Sequence, residues 1–521
     1  MSRLRSDAPV PEEGVRVRPA LEQWAELARS NAEWFREWRF SVGGVPFDVA
    51  RHEARAAASV VAREYTARLG IGAAEGVDGP VIMTGHQPEF FHPGVWVKHF
   101  LMQRVVRETG GTGIDIVVDT DAFESLGVTV PCRGPEVHRC RQELLSGDPR
   151  AYYAAAPVPD RRRTRAFCNA TRAALATLAM PEATRNLDAF CDALGRAHPP
   201  SASVAELITG ARRRYEGAWT EYAELPVSAL AATLPWRRFA VDIVLEADRF
   251  ARIHNTELAL YRERHRVRSA AQPLPDLRIG ESGVELPFWL LGESKRYPVF
   301  AHATERGVEL WAREEVVAAV PYDAALAAEA LGEAGIVLAP RAVTLTMFLR
   351  SHVADLFIHG TGGERYDQVT ERIVESWWGV RLPPMVVATL SMRLAADVSA
   401  VDDDAVAAVA RRLHRLTHNP DTALAEMEFA SVDEEQRALR LADEKGALVR
   451  RLRESGADRA ALGARLARVN EELRMLVAPL LETVRRERDL LERLRSDAEV
   501  LSDRTYPFFL WSPEEMAEVV R

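Results

Sequence analysis

VIMTGHQPEFFHPGVWVKHFLMQRVVRETGGTGIDIVVDT, residues 81–120, is the stretch on which the fold class turns. VIMTG has the character of a short buried strand, GVWVKHFLMQRVVRET that of a helix stopped by Gly110, and IDIVVDT that of a second buried strand. Strand, helix and strand in so short a span form a βαβ unit, which demands parallel pairing and a right-handed crossover. In open α/β sheets ligands collect beyond the carboxyl ends of the strands, where this stretch puts His86, Gln87 and Asp119.

On the amino side, residues 1–79 alternate Trp and Phe with Glu, Arg and Ala. They predict a helical lead-in whose stripe Trp24, Trp34, Phe35 and Trp38 belongs to the core. Residues 80–400 predict a Rossmann-like α/β core. Within it, 145–235 form an Ala- and Arg-rich helical insertion, and RRRTR at 161–165 reads as a solvated face, with an anion contact as the alternative. Prolines, glycines and short apolar runs at 272–312 predict antiparallel strands, so the expected sheet is mixed and only partly parallel. Residues 336–395 return to strand and helix alternation, with IVLAPR and PPMVVATLSMRL as strands.

Residues 401–503 are poor in Gly and Pro and dense in Leu, Ala, Arg and Glu. Leu462, Leu466, Val469, Leu473, Leu476 and Leu480 step by fours and threes, a heptad seam. Together with Leu441, Leu448 and Leu452, a stop at Gly456 and an N-cap at Asp458, the seam predicts a C-terminal antiparallel α-helical coiled-coil hairpin interrupted at Pro479. The aromatic segment 504–521 is expected to pack back on the body.

Of the 521 residues 47% are hydrophobic and 27% charged, which excludes wholesale disorder. A net charge of -9 argues against nucleic acid or an anionic membrane as partner and favours a polar small molecule. The absence of an export signal or a long apolar run leads to the expectation of a cytoplasmic protein. Cys132, Cys140, Cys168 and Cys191 make neither a disulfide framework nor a zinc motif, and His138 lacks a second ligand pair. Free thiols and no metal are expected.

Four clusters carry chemistry. Thr84, Gly85, His86, Gln87, His92, Gly94 and Lys98 follow a strand, and the amides near Pro93 and Gly94 are placed to receive a phosphate or carboxylate. Asp119, Asp121 and Glu124 can hold a hydroxyl or amine, orient a base or bind Mg²⁺, with helix capping as the competing role of Asp121. His254, Asn255, Tyr261 and Arg262 interrupt a helical face; a satisfied core histidine is the plainer reading of His254. His359, Gly360, Gly362, Gly363, Glu364, Tyr366 and Asp367 make a glycine-rich anion or sugar cradle, with Arg341 and Arg350 upstream. Neither GxGxxG nor GxxxxGK[ST] occurs in these clusters.

TGHQPEFFHPGVWVKHF, VDTDAFESLGVTVP, LAPRAVTLTMFLR and HGTGGERYD, in that order ahead of the heptads, resemble the bacillithiol-synthesis cysteine-adding enzymes, BshC. The resemblance runs from about residue 80 to the C-terminus. It implies a Rossmann-like core, a coiled coil that mediates homodimerisation, and a ligase joining the carboxyl of cysteine to the amine of glucosaminyl malate. It places His86, Gln87 and the 360–364 loop in the substrate pocket, Asp119 and Asp121 against amine or hydroxyls, and calls for ATP and Mg²⁺ to activate the carboxyl. The chain departs from the family at His86, where the family has Gln, at Asp121, where it has His, and at Ala122, where it has Asp. A group-transfer enzyme acting on a sugar or sugar nucleotide and a noncatalytic coiled-coil assembly protein are the competing readings.

Overall fold

The computed structural model describes residues 13–72, 79–148, 150–269, 274–281, 283–394, 402–454 and 458–521. The chain divides into two compact units. The first contains residues up to Cys132, Cys140–Leu394 and Arg504–Arg521; the second contains Arg133–Arg139 and Ala395–Asp503.

The first unit begins with strand β1 (Gly14–Arg18), where a helical lead-in was expected. GVRVR alternates with period two, and that pattern lets it lie along a sheet edge. Helix Trp24–Trp34 follows; Trp24, Phe35 and Trp38 are core, whereas Trp34 is 45% exposed and only its indole N–H is engaged, by the Arg381 carbonyl. Helix α1 (Phe47–Arg68) buries Ala50, Ala54, Ala58 and Ala62, a small-residue stripe at helical spacing that brings its backbone close to the sheet.

The βαβ unit is present as β2 (Val81–His86), α2 (Pro93–Thr109) and β3 (Thr112–Val117), and α2 stops at Gly110 with φ +64°. A hairpin of strands Ser125–Arg133 and Val137–Ser146 follows. Cys132 and Cys140 are joined across it by a disulfide, which corrects the expectation that all four thiols are free: the hairpin register puts their Cα atoms 6.0 Å apart. Helices α3 (Arg161–Ala176), α4 (Pro181–Ala197) and α5 (Val204–Glu216) lead to β4 (Ala223–Pro226).

Strands β5 (Gly283–Leu291), β6 (Arg296–Ala303), β7 (Gly307–Ala312), β8 (Glu315–Pro321) and β9 (Leu338–Pro340) build their own antiparallel sheet in the order β8-β7-β6-β5-β9. The chain then returns to the first sheet with β10 (Leu356–His359), α6 (Thr361–Trp378) and β11 (Val386–Ser391).

The first sheet has the order β1-β11-β10-β2-β3-β4. All its pairings are parallel except β1 against β11. The sheet is thus partly parallel, but the antiparallel strands predicted at 272–312 are segregated into the second sheet, and LAP, read as a strand of the second α/β half, joins them by pairing with β5. From β2 the chain winds outward to β3 and β4, and from β10 it winds the other way to β11. The crevice between β2 and β10 is therefore the point where the winding direction reverses.

The second unit holds helices α7 (Asp403–His418), α8 (Val432–Leu452), α9 (Arg459–Leu476) and α10 (Ala478–Leu501). Ion pairs Arg437–Glu472 (3.1 Å) and Arg465–Glu444 (2.6 Å) fix an antiparallel register between α8 and α9. Leu441, Leu448, Leu462, Val469, Leu473 and Val477 are buried between them. Asp458 caps α9 by accepting from the Ala461 amide, while the predicted stop at Gly456 lies outside the described residues. The predicted Leu462–Leu480 seam is two seams. The helix breaks at Val477, Pro479 sits in the first turn of α10 where its missing N–H costs no bond, and Leu480 joins a second cluster with Val484 and the Val409 and Leu416 of α7.

Residues 504–521 belong to the first unit, as expected of a segment that packs back; Phe508 is fully buried and its amide donates to the Phe91 carbonyl at 2.8 Å. Among the described residues no helix is long and apolar enough to cross a membrane.

Asp355, immediately before β10, ties the reversal point together. Its carboxylate accepts from Arg51 and Arg55 of α1, each at 2.6 Å, and from the Val81 amide at the start of β2 at 2.7 Å. Removing one member of such a buried group leaves its partners uncompensated. Asp355→Ala is expected to lower the unfolding free energy by about 3–5 kcal/mol, read by urea denaturation followed through tryptophan fluorescence; a loss below about 1 kcal/mol would show that the clamp is not structural.

Candidate functional site

A cavity of about 420 Å³ opens at the reversal point. It is walled by the carboxyl end of β2 (Gly85, His86, Gln87), the amino end of α2 (His92, Gly94, Lys98), the residues after β3 (Val118, Asp121), and the end of β10 running into α6 (His359 to Gly363). Leu345, Thr346 and Leu349 give it an apolar side. Its size suits a small molecule. Segments that are distant in sequence meet here because parallel strands all end on the same edge.

Gly85 is required by packing: a Cβ there would stand 2.6 Å from that of Ile116 on the neighbouring strand. Thr84, one residue earlier, is buried and donates to the Ile358 carbonyl at 2.9 Å, fixing β2 against β10. His86 Nδ1 lies 3.2 Å from the Gln87 carbonyl and donates to it in the neutral tautomer, which leaves Nε2 as the acceptor. Burial, reinforced by the Lys98 charge, pushes the His86 imidazole down to about 3. Lys98 is buried, donates from Nζ to the Gly85 carbonyl at 3.0 Å, and is brought down to about 8 by burial, with Asp115 opposing and Arg212 assisting.

The two helix amino ends differ. The Gly94 amide, expected to be open to an anion, is taken by His92 Nδ1 at 3.0 Å, so α2 is capped by its own side chain. The N-cap of α6 is Gly360, which has no side chain to cap with. Nothing lies within 4 Å of where a Cβ would project from Gly360 or Gly362, whereas one on Gly363 would run into the His359 ring at 2.4 Å. The glycine loop therefore leaves an open, positively polarised helix end facing a cavity that also holds the Lys98 ammonium. His359 is backed by Asp367, 3.4 Å from Nε2; Asp367 is buried and held well below the usual carboxylate range by Arg350 and His359.

Several candidates lie elsewhere. Asp119 does not line the cavity: its buried carboxylate accepts from the backbone and hydroxyl of Ser228, and burial raises it to about 6. Asp121 does line it, but is engaged by Arg296 at 3.0 Å and by Gln87 at 2.9 Å, so it caps no helix. Glu124 is exposed, outside the lining. His254 is buried beside Asn255, which brackets the Leu277 amide and carbonyl; Arg262 pairs with Asp276, and Tyr261 lines a separate groove with Gln368. Helix Ala247–Arg264, which carries these candidates, therefore anchors the chain at 274–277 instead of serving the cavity. Arg341, between two lining residues, turns to Glu285 at 2.8 Å and stacks over Trp289. Glu364 pairs with Arg18, and the side chain of Tyr366 lies outside what is described.

Sequence reading missed the buried charges around Lys98. Arg212 joins Asp115 (3.0 Å) to Glu224 (2.8 Å), and Glu216 accepts from Trp96 and stands 3.2 Å from His99. The signal was present in IDIVV, where Asp115 interrupts an apolar strand. Arg296, which holds Asp121 from the second sheet, carried no local signal.

Comparison with protein-family models and with curated proteins gives no match.

The His86 environment makes a direct prediction. Because burial and Lys98 both oppose the imidazolium, NMR of ¹³C-histidine-labelled protein is expected to show His86 as an uncharged Nδ1–H ring throughout pH 5–8; a titration centred near the free value of about 6.5 would contradict this.

Proposed function

We propose that the cavity at the reversal point is the active site of a BshC-like enzyme, a ligase forming a carbon–nitrogen bond between the carboxyl of cysteine and the amine of a glucosaminyl malate-like acceptor. The observation that carries the reading is the pairing of the uncapped α6 amino end with the buried Lys98 ammonium in one small cavity. Together they suit the carboxylates of such an acceptor. In chain order the five parallel strands of the first sheet run 3-2-1-4-5, which supports the Rossmann-like description. The α8–α9 pair is taken as the antiparallel coiled coil through which two copies would associate, and the cytoplasm as the place of action.

Each residue then has a chemical part. Lys98 holds a substrate carboxylate, with the amides of Thr361 to Gly363 beside it. His86, uncharged at neutral pH, accepts a hydrogen bond from the substrate amine through Nε2; a group at about 3 is too weakly basic to take a proton outright. Lys98, brought down to about 8, changes protonation just above neutrality. His359, with the Asp367 carboxylate 3.4 Å from its Nε2, supplies a second imidazole. Asp119 positions Ser228 and stays outside the reaction.

A ligase calls for ATP and Mg²⁺. Asp121, already held by Arg296 and Gln87, is the carboxylate among the lining residues, so they do not form a magnesium site of their own.

Glucosaminyl malate at millimolar concentration is expected to raise the melting temperature. Lys98→Met should weaken its binding at least about tenfold, the scale of one lost charged hydrogen bond. Affinity should be high below pH 8 and fall as Lys98 loses its proton above it, a dependence absent in Lys98→Met. Stabilisation by sugar nucleotides with none by glucosaminyl malate would replace this reading with group transfer.

A further inference from the structure

A second cavity, of about 730 Å³, lies at the opposite edge of the first sheet, where β2, β3 and β4 begin. One face of α1, running from His52 to Arg63, lines it, and so do the last turns of α2, from Gln103 to Gly110. The strand register leaves the space. β3 starts at Thr112, whereas its neighbour β4 starts at Ala223, opposite Ile114. Thr112 and Gly113 therefore have no strand beside them on that side.

The charged groups of the lining are Arg55, Arg63, Arg107 and Glu221, with the His52 imidazole beside them. Arg55 is spent on Asp355 at 2.6 Å. Arg51 and Arg68 of α1 and Arg104 of α2 each hold a carboxylate as well. That leaves Arg63 and Arg107 as the arginines of these two helices that form no ion pair or side-chain hydrogen bond among the described residues, and both line the cavity. Their two charges outweigh the single carboxylate of Glu221.

Gln103 adds an independent observation. It is 4% exposed, and its Oε1 accepts from the Glu221 amide at 2.8 Å. Its Nε2, on the cavity wall, donates to no group among the described residues. A side chain buried to this degree normally has its donors satisfied, so the cavity is where an acceptor for this one belongs. Ala56, Val106 and Ile114 give the lining an apolar portion, and the volume is that of a small-molecule site.

We propose that this cavity binds a small organic phosphate. Arg63 and Arg107 hold the phosphoryl group, Gln103 Nε2 donates to it, and the carbon part lies against Ala56, Val106 and Ile114. A phosphate dianion presents three acceptor oxygens, and guanidinium forks match that geometry. The site is separate from the cavity at the reversal point and does not depend on what that cavity takes.

The test uses the full chain with phenyl phosphate at millimolar concentration, read by hydrogen exchange of amides 103–113 and by titration calorimetry, with phenol as the control that lacks the anion. The expected result is a several-fold slowing of exchange at 103–113, undiminished in Lys98→Met, which alters the other cavity. An Arg63→Ala, Arg107→Ala double variant should weaken binding at least about tenfold, the scale of one lost charged hydrogen bond. Gln103→Glu, which keeps the acceptor for the Glu221 amide and replaces the donor by a negative charge, should weaken it likewise. Exchange at 103–113 unaffected by phenyl phosphate, slowed equally by phenol, or slowed as much in the double variant would each overturn the proposal, as would protection found only at 84–98.

Discussion

At the seam between β2 and β10, Leu356 pairs with Ile82 and Phe357 with Met83, while Asp355 takes the Val81 amide. The two strands run parallel, so their carboxyl ends open on the same edge. Because the chain winds away from them in opposite directions, a crevice opens between their carboxyl ends. The cavity exists because of this pairing. Its contents follow from which residues happen to end each strand: His86 and Gln87 on one side, His359 and the glycine loop on the other.

Charge in the cavity is set by burial more than by pairing. Lys98 and His86 both lose affinity for a proton, yet to different extents. One stays near the physiological range as a cation that an anion can reinforce, and the other is fixed as a neutral acceptor. Nearby, Arg212 and Arg213 face Asp115, Glu216 and Glu224, with His99 between Asp115 and Glu216. This network contributes position to α2 and α5, and among the described residues Lys98 Nζ has the Gly85 carbonyl as its hydrogen-bond partner.

Residues 81–120 could be read correctly because both strands and the helix are short-range patterns, and the helix stop at Gly110 is a backbone requirement. The meeting of His86 with the 359–363 loop was also foreseeable, since parallel strands place their carboxyl ends together. What misled was competition for partners at longer range. Asp119 reads as a site residue until Ser228, from the turn after β4, occupies both its oxygens. Gly94 reads as an open amide until His92 folds back onto it. LAP at 338–340 has strand character in any sheet, and local sequence does not say which one it joins. The even spacing of Leu462 to Leu480 hides the break at Val477, because the heptad continues across it while the partner helix changes.

The aromatic cluster on the far side of the 87–92 loop couples this loop to α3, α4 and the C-terminal segment through Phe90, Phe190 and Phe509. The loop is thus bound to the sheet at one end and to the helical insertion at the other. The most direct measurement of the central claim is a crystal structure with glucosaminyl malate bound. The account predicts a carboxylate within hydrogen-bond distance of the Gly362 or Gly363 amide and of Lys98 Nζ. Ligand seated elsewhere, or a cavity left without it at saturating concentration, would contradict the account.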